Sequence, residues 1–267
     1  MADTSGAKIT LHWLNGSRSQ GTMFMLEELG LPYDVDLHHR DPKTKLSPPE
    51  ADALHPLGKF PIVTITSPNL PSPIRLAESA FIIQYITEHF PGARRLAPAR
   101  WNPGQEDKLG GETESWMRYQ YLMYYVEGSY MVTQLLYFFG WVMKSNEVPW
   151  LIRPITSFIA NKLIATLVFP NAKKHFTMLE HYLETSPEGG SYLCGPKLTG
   201  ADIMLAYPLL TGLALNAFED MGTWERGSFK ETFPKLQAYI EGLSQEPGWK
   251  KSVEKIKELE GSFSIVP

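Results

Sequence analysis

The sequence predicts a chain of two domains, an α/β domain with the element order βαβαββα followed by an all-helical domain. Three observations lead to this fold class. Short β-branched runs alternate with helical periodicity over about the first 90 of the 267 residues. A segment rich in proline, glycine and arginine follows, at residues 91–107. Beyond it the strand signals vanish, and helical periodicity continues to the end of the chain.

The first strand and the first helix are marked by their ends. Residues Ile9 to Leu14 combine β-branched, aromatic and apolar side chains and stop at Asn15-Gly16, a strong turn dipeptide. The next segment, from about Arg18 to Leu29, places apolar residues on one face and stops at Gly30, an expected helix terminus. A strand, a turn and a helix therefore open the chain.

The rest of the first domain completes a four-stranded mixed sheet. Pro61 precedes an alternating β-branched run. We place it at the entrance of a strand, since that position tolerates a residue without a backbone N–H. The predicted elements are a strand at Tyr33 to Leu37, a short helix at Pro48 to Leu54, strands at Ile62 to Ile65 and Ile74 to Ala77, and a helix at Ser79 to Phe90. This order is the thioredoxin-like layout, which we assign to residues 1–95.

An all-helical domain is predicted for residues 108–267, after a linker at 96–107, with an apolar insert at about 148–170. Its predicted helices run from about Glu112 to Lys144, His175 to Glu184, Gly200 to Phe218, Thr232 to Ser244 and Lys250 to Leu259. Thr199 and Asp202 form the best-marked helix start, a capping arrangement in which each side chain reaches the other residue's backbone N–H. Its role is structural.

The composition favours a cytoplasmic globular protein. Hydrophobic residues make up 43% of the chain, and the net charge of −4 without a dense basic cluster argues against nucleic-acid binding. The single cysteine, Cys194, excludes an internal disulfide and a CxxC centre, which disfavours a thiol-disulfide oxidoreductase. The first residues lack the basic and apolar regions of a signal peptide.

No transmembrane segment is predicted. The longest uncharged stretches, Gly128 to Met143 and Ile203 to Phe218, fall short of or barely reach the roughly 18 apolar residues that a span requires. We interpret both as buried core helices or cavity walls. A third apolar stretch, Pro149 to Phe169, is interrupted by charged and polar residues. It can shelter a substrate pocket, form a partner surface or make a peripheral contact with a membrane, in that order of preference.

The stretch from Pro56 to Ser79 carries the features of a ligand site. A cis bond between Phe60 and Pro61 would aim the backbone groups of Phe60 outward, toward an extended peptide-like ligand. Glu78 and Ser79 stand at a helix start, where free N–H groups suit a carboxylate and the Glu78 carboxylate suits an ammonium. Each residue alone is more often a strand entrance or a helix cap than a ligand contact. Their order on one ββα unit favours an amino-acid zwitterion as ligand.

These motifs also carry a family resemblance. HPLGKFPIV followed by LAES, ITLHWLNGSRSQ near the start and YLCGPKLTGADIMLAYPL near the end resemble the cytosolic glutathione transferases over both domains. The fungal GTT1-like type is most similar, since it shares HWL, SR, HPLG, LAES and YVEGS. The resemblance implies a homodimeric enzyme that uses glutathione as co-substrate, without a metal, on small-molecule electrophiles in detoxification or secondary metabolism.

The resemblance implies that a serine after the first strand donates a hydrogen bond to the glutathione thiolate, and Ser17 aligns best with that position. Asn15 and Ser19 are alternatives, because the loop offers three donors at the start of a helix, where the helix dipole favours an anion. Ser17 can also serve only as a cap of the helix. Arg18 either bears on the thiolate or faces solvent.

The other glutathione contacts are likewise implied by the resemblance. Lys59 would face the glycyl carboxylate, Phe60 beside Pro61 would pair its backbone with the cysteinyl unit, and Glu78 and Ser79 would hold the γ-glutamyl end. The electrophile pocket would be walled by the loop after the first strand and by a long aromatic-rich helix. The rings of that helix are Trp116, Tyr119, Tyr124 and Tyr125.

Three further expectations concern metals and function. No metal is expected, because His55 and the pair His38-His39 have no third ligand at a suitable sequence spacing. Two other functions stay open: a non-catalytic protein that binds glutathione or hydrophobic ligands, and a glutathione-dependent isomerase acting on one metabolite.

Overall fold

A computed structural model describes residue 4 and residues 6–266 of the chain. The first domain contains β1 Lys8–Leu14, α1 Ser19–Leu29, β2 Tyr33–His38, α2 Ala51–Leu54, β3 Ile62–Thr66, β4 Ile74–Ala77 and α3 Ser79–His89. The second contains α4 Glu114–Tyr125, α5 Met131–Lys144, α6 Arg153–Leu163, α7 Phe169–Glu184, α8 Gly200–Ala214, α9 Ala217–Asp220, α10 Phe229–Thr232, α11 Pro234–Leu243 and α12 Pro247–Glu260. The predicted fold class is confirmed.

The four strands form one mixed sheet in the order β2-β1-β3-β4. Strand β1 is parallel to β2 and antiparallel to β3, so that His12 lies opposite Asp36 on one side and Ile62 on the other. Alternate residues of a strand face opposite sides of a sheet. Accordingly Leu11 and Trp13 are buried in the main core, while Leu14 packs on the other side in a small cluster with Ala51 of α2.

Residues 114–144 form a nearly continuous helix, because a π turn at Val126–Tyr130 joins α4 to α5. This agrees with the predicted helix from Glu112 to Lys144. A second π turn, Ile164–Val168, joins α6 to α7. The resulting helix, Arg153–Glu184, is long enough and apolar enough to cross a membrane, judged by length and composition alone. Only 22% of its apolar 18-residue window is buried.

Helix α8 occupies the centre of the helical domain. The carboxylate of Asp202 accepts the backbone N–H of Thr199 at 2.8 Å, as the predicted capping arrangement requires, and it also accepts the Thr199 hydroxyl at 2.7 Å. The same carboxylate accepts the hydroxyl of Tyr239 on α11 at 2.8 Å. The helix ends at Ala214 rather than at Phe218, because Asn216 adopts a left-handed conformation with φ 53°.

Candidate functional site

A cavity of about 590 Å³ lies between the two domains. Its walls combine mostly polar or charged residues of the sheet domain with mostly apolar residues of the helical domain. The sheet domain contributes Leu14, Gly16, Ser17, Arg18, Arg40, Ser47, Lys59 and Phe60; the helical domain contributes Glu127, residues 130–135, Tyr137, Phe138, Val168, Ala172, Phe176, Tyr207, Thr211, Gly212, Leu215, Ala217, Phe218 and Met221. A largely apolar pocket with a few polar groups at one end is typical of a small-molecule site.

The three candidate donors after β1 have different surroundings. Ser17 lines the cavity, and its hydroxyl donates to the carbonyl of Leu14 at 2.7 Å. Ser19 is fully buried beneath it, with the two hydroxyl oxygens 3.0 Å apart. Asn15 is turned toward Arg40, because its side-chain oxygen accepts the backbone N–H of that residue at 2.8 Å. Of the three candidates, only Ser17 lines the cavity.

Arg40 is a cavity residue that the sequence reasoning missed. Its guanidinium donates from Nε to the carbonyl of Asn15 at 3.1 Å and from Nη2 to the carbonyl of Gly16 at 3.2 Å. It thus fixes the loop that carries Ser17 and also adds a cation to the cavity wall. The only sequence signal was a charged residue two positions after the end of β2, which is too common to single it out.

Arg18 connects the two domains. Its guanidinium forms an ion pair with Glu127, which belongs to the π turn between α4 and α5. Arg18, Glu127 and Tyr207 line the main cavity and also a small crevice that reaches Ser79. The predicted alternative that Arg18 faces solvent is thus not what the structure shows.

Phe60 and Lys59 also line the cavity, on the side of the sheet domain. The peptide bond between Phe60 and Pro61 is cis, and Pro61 is buried at the entrance of β3. Lys59 is exposed at the rim. These positions place a backbone edge and a cation beside Ser17.

Glu78 and Ser79 stand at the start of α3. Glu78 is exposed and has φ 69°, a backbone conformation that is uncommon for residues other than glycine. The Ser79 hydroxyl oxygen is buried and has no hydrogen-bond partner among the described residues. Because buried polar groups normally find partners, this hydroxyl is available to a polar ligand group. A carboxylate suits it, since the helix start supplies further N–H donors.

The aromatic residues expected on the wall of the electrophile pocket are not the ones found there. Tyr119 and Tyr125 are buried in the core, and Tyr124 is exposed on the outside of α4. Trp116 packs under the guanidinium of Arg100, 4.7 Å from the ring centroid. The prediction chose the right continuous helix but the wrong segment, because helical periodicity shows which face of a helix is apolar but not which of its turns reach a cavity.

On the helical side of the cavity, the aromatic rings belong to the next turns of the helix and to α7, α8 and α9. Burial raises the pKa of Tyr137 to about 12 and that of Tyr207 to about 12. The hydroxyl of Tyr207 donates to the carbonyl of Ile265 at 3.0 Å. Both phenols are therefore neutral hydrogen-bond donors at physiological pH and not bases.

Three potential metal ligands meet on the opposite side of the sheet from the main core. Asp36 accepts hydrogen bonds from His12 at 2.8 Å and from His38 at 3.0 Å, and the ligand atoms of all three lie within 4.8 Å of one another. The expectation was that His38 has no third ligand at a suitable sequence spacing, but the fold places Asp36 and His12 beside it. The parallel register of β1 and β2 brings His12 to Asp36, a pairing that linear spacing does not show. The expectation that the protein uses no metal stays a prediction.

Comparisons with known proteins agree with this geometry. Residues 16–89 match the family model "Glutathione S-transferase, N-terminal domain", and residues 160–255 match "Glutathione S-transferase, C-terminal domain". The chain is 28% identical to Glutathione S-transferase 1 of Saccharomyces cerevisiae, covering 96% of this chain and 98% of that protein. It is 27% identical to Glutathione S-transferase 3 of Schizosaccharomyces pombe, covering 82% and 81%.

Solved structures show the same fold. A glutathione S-transferase from Actinobacillus pleuropneumoniae has a TM-score of 0.60 and 27% identity, covering 92% of each chain. A glutathione transferase from Phanerochaete chrysosporium, solved with oxidized glutathione, has a TM-score of 0.63 and 19% identity over 96% of this chain and 97% of that one. The two family models together match more than half of the 267 residues, and both domains and their order agree with them. The chain belongs to the glutathione S-transferase family of enzymes, and it is similar to fungal members of the GTT1-like type.

Proposed function

We propose that this protein conjugates the thiolate of glutathione to small hydrophobic electrophiles. The observation that carries the proposal is the cavity between the domains, in which Ser17 at the start of α1 faces an apolar wall contributed by the helical domain. A thiol bound beside Ser17 would point its sulfur toward that wall. Detoxification or secondary metabolism in the cytoplasm is the expected setting.

Glutathione is proposed to lie along the edge of the sheet domain. Lys59 and Arg40 supply positive charge for the glycyl carboxylate, and the backbone of Phe60, which precedes the buried Pro61, is placed for the cysteinyl unit. Glu78 and Ser79 would hold the γ-glutamyl end, since the buried Ser79 hydroxyl has no hydrogen-bond partner in the part of the chain that the structure describes. In this placement the two charged ends of glutathione meet groups of the opposite charge or hydrogen-bond donors.

The test of this placement is the variant Glu78→Ala. Calorimetric titration should show glutathione affinity weakened by about 1.5–3 kcal/mol, because one hydrogen bond to the charged amino group is lost. Glu88→Ala is the matched control, since Glu88 is an exposed glutamate on the same helix. An unchanged dissociation constant for Glu78→Ala would rule out the proposed binding mode.

Ser17 is proposed to stabilise the thiolate. In the absence of a ligand its hydroxyl donates to the Leu14 carbonyl, so the O–H must rotate toward the sulfur when glutathione binds. The backbone N–H groups at the start of α1 add a favourable dipole. An unperturbed thiol has a pKa near 8.5, so a decrease of about one unit is enough to give a substantial thiolate fraction at neutral pH.

The mechanistic test compares three alanine variants. Ser17→Ala should raise the pKa of the bound thiol and slow conjugation of a chlorinated dinitrobenzene by about 10- to 1,000-fold, with a much smaller effect on glutathione affinity. Asn15→Ala and Ser19→Ala should act mainly on stability, because their side chains are held by Arg40 and by the loop. If one of these abolishes turnover while Ser17→Ala changes neither rate nor thiol pKa, the donor is that neighbour.

A non-catalytic glutathione-binding protein is the second candidate function. The inward hydrogen bond from Ser17 to Leu14 favours it, because a hydroxyl that keeps this partner cannot stabilise a thiolate. The two functions are separated by the ultraviolet absorbance of the bound thiolate as a function of pH. A bound thiol that titrates at its free pKa would support the binding protein.

A homodimer is also proposed. Four exposed large side chains lie on α3 and α4, namely Phe81, Met117, Tyr121 and Tyr124. A two-fold contact through this face would cover them in both copies. Light scattering should give twice the monomer mass of 30.2 kDa at micromolar concentration.

A further inference from the structure

The hairpin formed by α5 and α6 carries a large apolar surface that no other part of the described residues covers. Its tip consists of Trp150, Leu151 and Ile152, and the first two are 79% and 71% exposed. Further exposed apolar side chains follow along both helices: Val132, Leu135 and Phe139 on α5, and Ile155, Phe158 and Ile159 on α6. Contiguous exposed apolar surface of this kind marks an interaction site.

The apolar residues of the two helices lie on the same face of the hairpin. Gly140 packs against Ile164 near Ala160, and farther toward the tip the Thr156 hydroxyl donates to the carbonyl of Met143 at 2.7 Å. These contacts occur in reverse order along the two helices, which shows that the helices are antiparallel. Phe139 directly precedes the contact residue Gly140, and Ile159 directly precedes the contact residue Ala160. In an antiparallel pair of helices, residues at these two positions point to the same side of the hairpin.

The hairpin is suited to lie on a membrane and not to cross it. The helix from Arg153 to Glu184 is long enough to span, but its second half belongs to the protein core. Phe176 is buried there, and the Glu180 carboxylate accepts the backbone N–H groups of Lys235 and Leu236 at 3.1 and 2.7 Å. Only the first half, with α5 and the tip, is free to enter lipid. Amphipathic elements of this kind bury their apolar face at the headgroup boundary.

The charges of the hairpin are opposite in sign to the net charge of the chain. Residues 131–168 contain the basic residues Lys144, Arg153 and Lys162 but only one acidic residue, Glu147, although the whole chain has a net charge of −4. The Arg153 guanidinium donates to Asn146 and Val148 within the hairpin, whereas Lys144 and Lys162 are long side chains that can place their charged ends at lipid headgroups. Such residues attract an anionic surface, such as the cytoplasmic leaflet of cellular membranes.

The apolar face is continuous with the cavity. Val132 and Leu135 are exposed on the hairpin and also line the wall of the cavity that contains Ser17. A membrane that covers the face would therefore meet the apolar side of the cavity mouth. A hydrophobic molecule could then pass from lipid to the cavity without crossing water.

We propose that the α5–α6 hairpin docks the protein on an anionic lipid surface and opens its apolar cavity to lipid-dissolved electrophiles. The docking step stands on the hairpin alone, whereas the second part rests on the proposed transferase function. A second copy of the chain is a weaker occupant, because an isologous contact through this face would bring the basic residues of both copies into one interface.

The docking test is flotation of the full-length protein with vesicles. The protein should bind phosphatidylcholine vesicles that contain about 30% phosphatidylserine and bind pure phosphatidylcholine vesicles more weakly. The triple variant W150S/L151S/I152S should lower binding by about tenfold or more, because the inserted apolar tip is lost. The matched control is L109S/L259S, which changes two exposed leucines outside the hairpin.

Two results would overturn docking. One is wild-type protein that does not float with anionic vesicles; the other is a tip variant that binds them like the wild type. A tip variant whose mass in light scattering falls to 30.2 kDa while the wild type is twice as large would assign the face to a second copy.

The role of docking in substrate access is tested with a lipophilic electrophile dissolved in the vesicles. The tip variant should conjugate it at least about fivefold more slowly than the wild type, with an equal rate on a water-soluble electrophile and equal glutathione affinity. Equal rates on the lipid-dissolved substrate would contradict substrate access. Loss of glutathione binding in the wild type would instead contradict the proposed transferase function and leave the flotation result standing.

Discussion

Two apolar helices of this protein, α6 and α8, have opposite surroundings. Helix α8 is buried over almost its whole length, from Gly200 to Gly212. On α6, Ala160 is buried, whereas Ile155 and Phe158 are exposed. Both stretches are rich in apolar residues, and the sequence analysis ranked a cavity or a buried contact first for each. Apolar composition therefore shows that a helix needs an apolar environment, but not whether the chain itself provides it.

The difference arises from what packs around each helix. Helix α8 contacts α1, α3, α4, α5 and α11, and small residues allow the close approach of its neighbours. A Cβ atom on Gly200 would lie 2.5 Å from Ile83, and one on Gly212 would lie 2.5 Å from Phe218. Helix α6 packs mainly against α5. A helix that packs against one neighbour leaves most of its surface exposed. The apolar residues of α6 that do not face α5 can therefore be covered only by a partner outside the chain.

The largest expected effect is at the start of α8. Asp202→Ala should lower the free energy of unfolding by about 3–5 kcal/mol, because it removes the cap and leaves the buried groups of Thr199 and Tyr239 without partners. Urea denaturation followed by circular dichroism measures the change. Asp220→Ala, at the exposed end of α9, is the control. A loss below 1 kcal/mol would mean that α8 is not the rigid centre of the domain.

The contrast between α6 and α8 also explains which features of the structure the sequence could predict. The strands, α1, α3 and the cap at Thr199 were predicted because local signals, such as alternation, turn dipeptides and capping residues, determine them. The loop of Ser17 was placed at a helix start for the same reason. Arg40 and the meeting of His12 with Asp36 were missed, because each depends on which segments become neighbours in the fold. The exposure of α6 was missed since burial is a property of the whole chain.

Truncating one leucine of α8 tests the contrast between the two helices directly. Leu205 is fully buried, so Leu205→Ala should cost about 2–5 kcal/mol of unfolding free energy through lost burial and the cavity left behind. The measurement is again urea denaturation, with the slope of the transition compared between variants to confirm that the unfolded state is unchanged. A cost under 1 kcal/mol would show that α8 is loosely packed, and the contrast with α6 would fail.

The long helix from Arg153 to Glu184 contains both environments, and pH should reveal its buried half. Burial lowers the pKa of His175, whose ring nitrogens lie 2.9 Å from the Tyr125 hydroxyl and 3.0 Å from the Thr133 hydroxyl. The folded state therefore favours the neutral ring. This contribution is complete above the unfolded pKa of 6.5 and is lost as the pH falls from there toward the lower folded pKa.

His175→Gln should accordingly reduce the dependence of stability on pH below about 6.5. The change in slope is at most about 1.4 kcal/mol per pH unit, the limit for one proton. Urea denaturation at several pH values between 5 and 7.5 measures it, with His181→Gln as control because His181 is exposed on the same helix. Equal slopes for wild type and His175→Gln would contradict the buried, neutral state of this ring.

The smallest expected effect on stability concerns α6. Ile155 is 64% exposed, so Ile155→Ala removes little buried apolar surface and should change the unfolding free energy by no more than about 0.5 kcal/mol. Alanine also has the higher helix propensity, which offsets part of any loss. The same variant should nevertheless bind anionic vesicles more weakly, because each methylene group removed from lipid costs about 0.8 kcal/mol of burial. A change that leaves folding intact and weakens docking is expected only if an environment outside the chain covers this face. Should Ile155→Ala instead destabilise the isolated protein as strongly as Leu205→Ala, the face would be covered within the protein itself, and the distinction between α6 and α8 would not hold.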